Sequence, residues 1–271
     1  MQFALAHLNR LAPGIRARWQ KALIRGVYEQ LNREGRIDVD FLNYGYAAIG
    51  AAAVGDGTTE PYGIQLYERV ASPCDLSGAD VLEVGSGRGG GSAFLRWNLG
   101  ARSVTGVDFS RRAVAAATGQ HRAQGLRFLT VDAESLPFRA ASFDAVVNVE
   151  SSHCYPDFER FLSEVSRVLR PGGSLLLADL RAADEVAVLR EQCRRGGFVI
   201  LEDESIAANV VRALELDSDR RLAWVRRAVP GPLRGAARDF VGAEGSDVLA
   251  RLRAGSLDYV RLALRKSGPP S

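Results

Sequence analysis

Cysteine is scarce in this 271-residue chain: Cys74, Cys154 and Cys193 lie far apart, with no C-x-x-C or His-pair spacing. An odd, scattered set cannot supply a disulfide framework and suits a reducing compartment, so the cytoplasm is the expected location. No zinc site is legible, and no metal is expected. Long apolar runs are missing too; nothing approaches the roughly 20 residues that a spanning helix needs. The start, MQFALAHLNRLAPGIRARWQ, is basic and partly apolar, but charges and a Pro-Gly pair interrupt it. It reads as a cap helix rather than a secretion signal, with peripheral membrane contact as a secondary use. Charge of one sign is also lacking. Lys and Arg number 35 against 32 Asp and Glu, and the basic residues are scattered rather than striped. That distribution argues against nucleic acid as a partner. What remains is ordinary globular composition, 46% hydrophobic and 25% charged, enough for one large domain with additions.

From Gly78 to Leu180 short apolar runs alternate with helical stretches, the pattern of a parallel sheet covered on both faces. The runs are ADVLEVG, SVTGVDFS, LRFLTVDAE, FDAVVNVE and GSLLLADL. Helices are expected over Gly91–Leu99, Arg111–Gln124 and Asp157–Leu169, and Pro171-Gly172-Gly173 is expected to stop the last and turn the chain. Beyond Leu180 the pattern predicts a helix (Asp184–Arg195), a strand (Phe198–Leu201), a basic helical region (Ile206–Val229) and a final strand (Leu257–Arg265). Two helices and a mobile loop, AAAVGDGTTEP, are expected before Gly78. The domain expectation is a helical cap over 1–60, an α/β core over 61–204, a substrate lid over 205–256 and a closing strand over 257–271.

The segment VLEVGSGRGGG ends a strand and opens a helix, so its glycines bring backbone N–H groups and a helix N-terminus close to a ligand. Gly85, Gly87 and Gly90 also satisfy G-x-G-x-x-G, which alone would equally suit a dinucleotide. Asp108, about 20 residues on, suits the ribose of either ligand. Two further acids discriminate. Glu83 sits in the strand before the loop, where a carboxylate repels a pyrophosphate but suits an ammonium. Asp132, in VDAESLPF, is placed to accept from an adenine amino group. Glycine loop, ribose acid and adenine acid together fit S-adenosylmethionine (SAM).

VLEVGSGRGGG, GVDFS, VDAESLPF, FDAVVNVE and RVLRPGG resemble the successive motifs of class I SAM-dependent methyltransferases over roughly Asp80 to Asp179. That resemblance implies a Rossmann-like seven-stranded sheet with an antiparallel last strand. It implies that Glu83, Gly85 and Gly87 border the methionine part and that Asp108 holds the ribose hydroxyls. Phe109 is then expected to pack on the adenine, Asp132 and Ala133 to read its edge, and Asn148 to lie beside the amino group and sulfonium. FLNYGYA, IQLYERVA and VNVESSHCYPDFERFLSEVSRVLRPGG are similar to the phthiotriol/phenolphthiotriol dimycocerosate methyltransferases and related fatty-acid and glycolipid O-methyltransferases.

His153 lies just past the fourth strand, at the edge where ligands bind in such sheets, and is the candidate base for a substrate hydroxyl. Glu150 is its orienting partner or itself the base. Tyr44 and Tyr46 are expected to close over the cofactor, and Gln65 to neighbour its carboxylate or sulfonium. The arginines of 212–238 read as a solvated helix face. The expected reaction is O-methylation of a small, fairly apolar hydroxyl or carboxyl compound, a lipid or specialised metabolite. C- or N-methylation of a natural product or isoprenoid, and SAM binding without methyl transfer, are the rival readings. Oligomeric state is not legible.

Overall fold

The computed structural model describes residues 39–50, 60–229, 231 and 234–268. The two helices expected ahead of the AAAVGDGTTEP loop, and residues 51–59 of that loop, lie outside them. Helix α1 (Pro61–Ala71) leads into the sheet strands β1 (Asp80–Val84), β2 (Ser103–Asp108), β3 (Leu126–Thr130), β4 (Phe143–Val149), β5 (Leu169–Ala182), β6 (Phe198–Ser205) and β7 (Leu257–Lys266). Between them run α2 (Gly90–Trp97), α3 (Arg111–Gln120), α4 (Phe158–Val168) and α5 (Val186–Arg195). Four helices, α6 (Ala207–Leu216), α7 (Ser218–Ala228), α8 (Arg234–Phe240) and α9 (Asp247–Arg253), separate β6 from β7.

The strand order is β3-β2-β1-β4-β5-β7-β6, with β7 antiparallel to both neighbours. This is the seven-stranded methyltransferase sheet that the motifs implied. Side chains alternate across it because successive Cβ atoms point to opposite faces. Val81 and Leu176 join the core under α1, α2, α6 and α9, while Leu82, Leu175 and Leu177 join the one under α4 and α5. Helix α4 shows why periodicity was a reliable guide. Asp157 caps its N-terminus, accepting from Arg160 N at 2.9 Å, and Phe161, Leu162, Val165 and Val168 bury one stripe.

Several boundaries differ from expectation, three of them with a clear physical cause. Helix α3 ends at Gln120 rather than Gln124, because His121 leaves helical geometry and packs, buried, between Trp97 and Phe128. Pro171-Gly172-Gly173 does not precede a strand but interrupts one. Leu169 already pairs with Phe143, and the register resumes at Ser174 with Ala145, so the tripeptide forms an irregularity within β5. Strand β6 runs four residues past Leu201 through Glu202-Asp203-Glu204-Ser205. Its acids hide the strand from hydropathy but are matched: Arg261 pairs with Glu202 and Glu204, and Arg190 with Asp203 at 2.6 Å.

Strand order reverses between β1 and β4, and the crevice outside their C-terminal ends is where open α/β sheets bind ligands. The loop after β1, the end of β2 and the turn after β4 all converge there.

Candidate active site

A cavity of about 440 Å³ occupies this crevice, within the range of small-molecule sites. One end, at β1, β2 and β3, is lined by Gly85–Arg88, Asp108–Ser110 and Asp132–Glu134. The other, at β4 and β5, is lined by Glu150, His153–Pro156 and Leu180, with Phe240 from α8. Residues 40–44 form a strap that lines it from outside the sheet. Asp132 follows β3 and Leu180 lies on β5, strands four inter-strand steps apart, roughly 19 Å at ~4.8 Å per step.

The first end is built from backbone. Gly85, Gly87 and Gly89 all have positive φ (81°, 53° and 90°), conformations that exact a strain penalty from residues with a Cβ. A Cβ on Gly89 would stand 2.7 Å from Phe128 Cζ. Asp108 organises the loop: Oδ2 accepts from Gly87 N at 2.8 Å and Oδ1 from Ser110 N at 2.8 Å. Phe109, Asp132 and Ala133 line the same end, and Asp132 Oδ1 accepts from Glu134 N at 3.0 Å within its own turn.

Glu83 is fully buried and does not line the cavity. One carboxylate oxygen accepts from Tyr67 Oη at 2.5 Å and the other from Ser92 Oγ. Burial raises its pKa to about 7, partly offset by those two donors. It lies beneath the glycine loop, and Tyr67, which does line the cavity, stands between. Direct pairing of Glu83 with a ligand ammonium, expected from the sequence, is not what the structure shows: its carboxylate is taken up by Tyr67 and Ser92. Asn148 is likewise buried behind the wall, with Nδ2 donating to Val84 O at 2.9 Å and Ser151 Oγ at 2.8 Å. Its Oδ1 has no hydrogen-bond partner among the described residues.

Tyr46 and Gln65 are not brought to the cavity. Tyr46 N donates to Tyr62 O at 2.9 Å and its ring packs on the core, while Gln65 sits half-buried on α1, outside the lining. Tyr44 does line it, and its backbone N donates to Glu150 Oε1 at 2.7 Å.

Glu150 has φ 47°, a strained conformation for a residue with a Cβ. Its Oε1 also accepts from Tyr259 Oη of β7 at 2.8 Å, so the side chain ties the strap to the sheet. Burial, reinforced by the nearby Asp179 charge, raises its pKa to about 7. Glu60 holds the other end of the strap, accepting from Asp40 N at 2.6 Å, and burial raises its pKa to about 7 as well. Arg221 donates to the carbonyls of Asn43 and Tyr44 at 3.1 and 3.0 Å and pairs with Asp217 at 2.8 Å. Buried in this way, it corrects the solvated-face reading for that position.

His153 does not meet Glu150 as its orienting partner; its partner is Asp179. Nδ1 lies 2.7 Å from Asp179 Oδ1, and the backbone N of His153 donates to Oδ2 at 2.8 Å. Asp179 has no exposed surface and also accepts from Ser152 Oγ at 2.5 Å and Leu180 N at 2.8 Å, with Arg181 3.0 Å away. Burial opposes the imidazolium, but the Asp179 charge and hydrogen bond outweigh it and lift the His153 pKa well above 6.5. Asp179 follows an apolar run in LLLADL much as Asp108 does in its own strand, although β5 continues past it to Ala182. Tyr67, Tyr259 and Arg221 lay within apolar or basic patterns that do not distinguish core from site.

The methyltransferase-domain family model matches residues 82–177. Over 244 residues the chain is 38% identical to the phthiotriol/phenolphthiotriol dimycocerosates methyltransferase of Mycobacterium tuberculosis, covering 89% of this chain and 88% of that one. It is 39% identical over 200 residues to a fatty-acid O-methyltransferase of Mycolicibacterium smegmatis, covering 73% of each. A sarcosine dimethylglycine methyltransferase structure from Galdieria sulphuraria superposes with a TM-score of 0.70 at 16% identity, over 84% of this chain and 94% of that one. The [4+2]-cyclase SpnF superposes with a TM-score of 0.67 at 24% identity, over 91% and 96%. These two likenesses are of fold. Sheet, glycine loop and family match define a SAM-dependent methyltransferase. Within that class the chain belongs to the family of the phthiotriol/phenolphthiotriol dimycocerosates methyltransferases.

Proposed function

We propose that the enzyme methylates an oxygen of a lipid-like or specialised-metabolite acceptor held at the β4–β5 end of the cavity. The observation that carries this is His153, fixed by a fully buried Asp179 and set among Tyr44, Pro156, Leu180 and Phe240. A histidine held at the edge of walls that include Pro156, Leu180 and Phe240 suits an acceptor with a reactive oxygen on an apolar body. The names of relatives, acting on phthiotriols and on fatty acids, point the same way.

Gly85 and Gly87 would admit the amino-acid tail of SAM, with Asn148 supporting the wall behind it through its bonds to Val84 O and Ser151 Oγ. Asp108 would hold the ribose, Phe109 would pack on the adenine, and Asp132 with Ala133 would read its edge. Bound SAM supplies an electrophilic methyl on a sulfonium, a leaving group built into the cofactor. The protein's part is to align the acceptor oxygen with it and exclude water. Tyr44 and the strap close the outer wall. Glu150 acts by holding that strap, and His153 touches the acceptor oxygen. The scattered free cysteines suit the cytoplasm as the place of reaction.

The test is incubation with SAM and a panel of long-chain acids, alcohols, phenols and amines, with product NMR to locate the methyl group. An O-methyl product supports the reading. C- or N-methylation alone, or binding of S-adenosylhomocysteine with no transfer to any acceptor, overturns it.

A further inference from the structure

The polar wall of the acceptor end is fixed in charge by its geometry. Asp179 is enclosed, and five groups address it: His153 through Nδ1 and backbone N, Ser152 Oγ, Leu180 N and Arg181. A carboxylate so surrounded stays ionised, and its surroundings hold it well below the usual range despite burial. Arg181 is committed to it as well, and its other Nη donates to Ser152 Oγ at 2.6 Å. With Nδ1 engaged by Asp179, the His153 nitrogen left for the cavity is Nε2. Of the other groups around this ring, the Cys154 side chain hydrogen-bonds the imidazole and also favours its cationic form, and Glu150 and Tyr44 line the same end while bonded to each other.

An imidazole 2.7 Å from a buried carboxylate is stabilised as the cation, and its Nε2–H is then a donor with no lone pair to receive a proton. A neutral alcohol needs its proton removed during transfer. A carboxylate does not. We infer that the acceptor is a long-chain carboxylic acid bound as its anion, with His153 Nε2–H gripping one oxygen while the chain lies along Tyr44, Pro156, Leu180 and Phe240. This rests on the proposed O-methylation. A carboxylate oxygen gives the electron pair of the new O–CH3 bond, and the S–CH3 pair goes to sulfur. The sulfonium and carboxylate charges cancel in thioether and methyl ester, and no proton is released. His153 is an anion clamp in this scheme, and Asp179 is the residue that positions and charges it.

The experiment compares a long-chain fatty acid with the primary alcohol of the same length, using full-length protein. Calorimetry in the presence of S-adenosylhomocysteine reads acceptor binding, and mass spectrometry with SAM reads transfer. The acid is expected to bind at least about tenfold more tightly than the alcohol, as a charge-assisted contact allows. Its kcat/KM should stay flat from pH 6 to 8 in the manner of a fixed cation. His153→Gln should abolish the preference by raising KM more than it lowers kcat, and thermal unfolding would confirm that this variant folds. Asp179→Asn should move the loss of acid binding to lower pH. Methylation of the alcohol but not the acid, a rate rising with pH over that interval, or a preference surviving His153→Gln would each overturn the clamp while leaving O-methylation intact. Exclusive N- or C-methylation would instead sink the broader reading.

Discussion

The two ends of the cavity are made differently. At the β1–β3 end the ties are local: Gly87 to Asp108 spans 21 residues, Tyr67 to Glu83 spans 16, and Ser92 to Glu83 spans 9. At the β4–β5 end Tyr44 reaches Glu150 across 106 residues, Tyr259 reaches it across 109, and Arg221 reaches Tyr44 across 177. The first is largely backbone shaped by glycine; the second is side chains gathered by tertiary packing. A common cofactor needs the former, and a variable acceptor is served by the latter.

The largest effect that would break this comparison lies at Asp108. Asp108→Ala removes two acceptors that order the loop and, on the proposed function, the ligand of the ribose. S-adenosylhomocysteine affinity should fall about a hundredfold by calorimetry, since hydrogen bonds to charged groups contribute about 1.5–3 kcal/mol each. A loss under about threefold would mean the loop does not depend on it. Next comes Gly89→Ala, whose methyl meets Phe128 and Ala117 at φ 90°. Overpacking of that kind costs about 1–3 kcal/mol, to be read from denaturant midpoints.

A smaller effect sharpens the contrast through pH. Glu150 is raised from 4.5 to about 7 by burial, so between those values the folded state binds more protons than the unfolded chain. Stability from this group is therefore present at low pH and declines as pH rises through that window. Glu150→Gln keeps an acceptor for Tyr44 N and Tyr259 Oη without the charge. Its Tm should match the wild type near pH 5 and exceed it near pH 8, by calorimetric scanning of ligand-free protein. The smallest effects belong to Tyr46→Phe and Gln65→Ala, both away from the cavity. Each should leave cofactor affinity within about twofold, inside the usual range for substitutions that touch no ligand.

Legibility in the sequence followed the same divide. The core strands, the glycine loop, Asp108, Asp132 and the position of His153 at a strand edge could be read because each is a local pattern. What hid were partners. Asp179 reads as one more apolar-strand terminus until β5 sets it beside the turn after β4. Glu150 reads as a base until the fold spends its Oε1 on Tyr44 and Tyr259. Arg221 is indistinguishable from its exposed neighbours until α7 turns it inward. Strand β6 hid for a related reason, since its acids are satisfied by arginines remote in sequence.

A crystal structure of the enzyme with S-adenosylhomocysteine would locate nucleoside and sulfur along the cavity in one measurement. The ribose hydroxyls should lie within about 3.2 Å of Asp108, with the adenine between Phe109 and Asp132 and the sulfur directed toward His153. A nucleoside bound elsewhere, or a sulfur pointing away from the His153–Asp179 pair, would contradict the account.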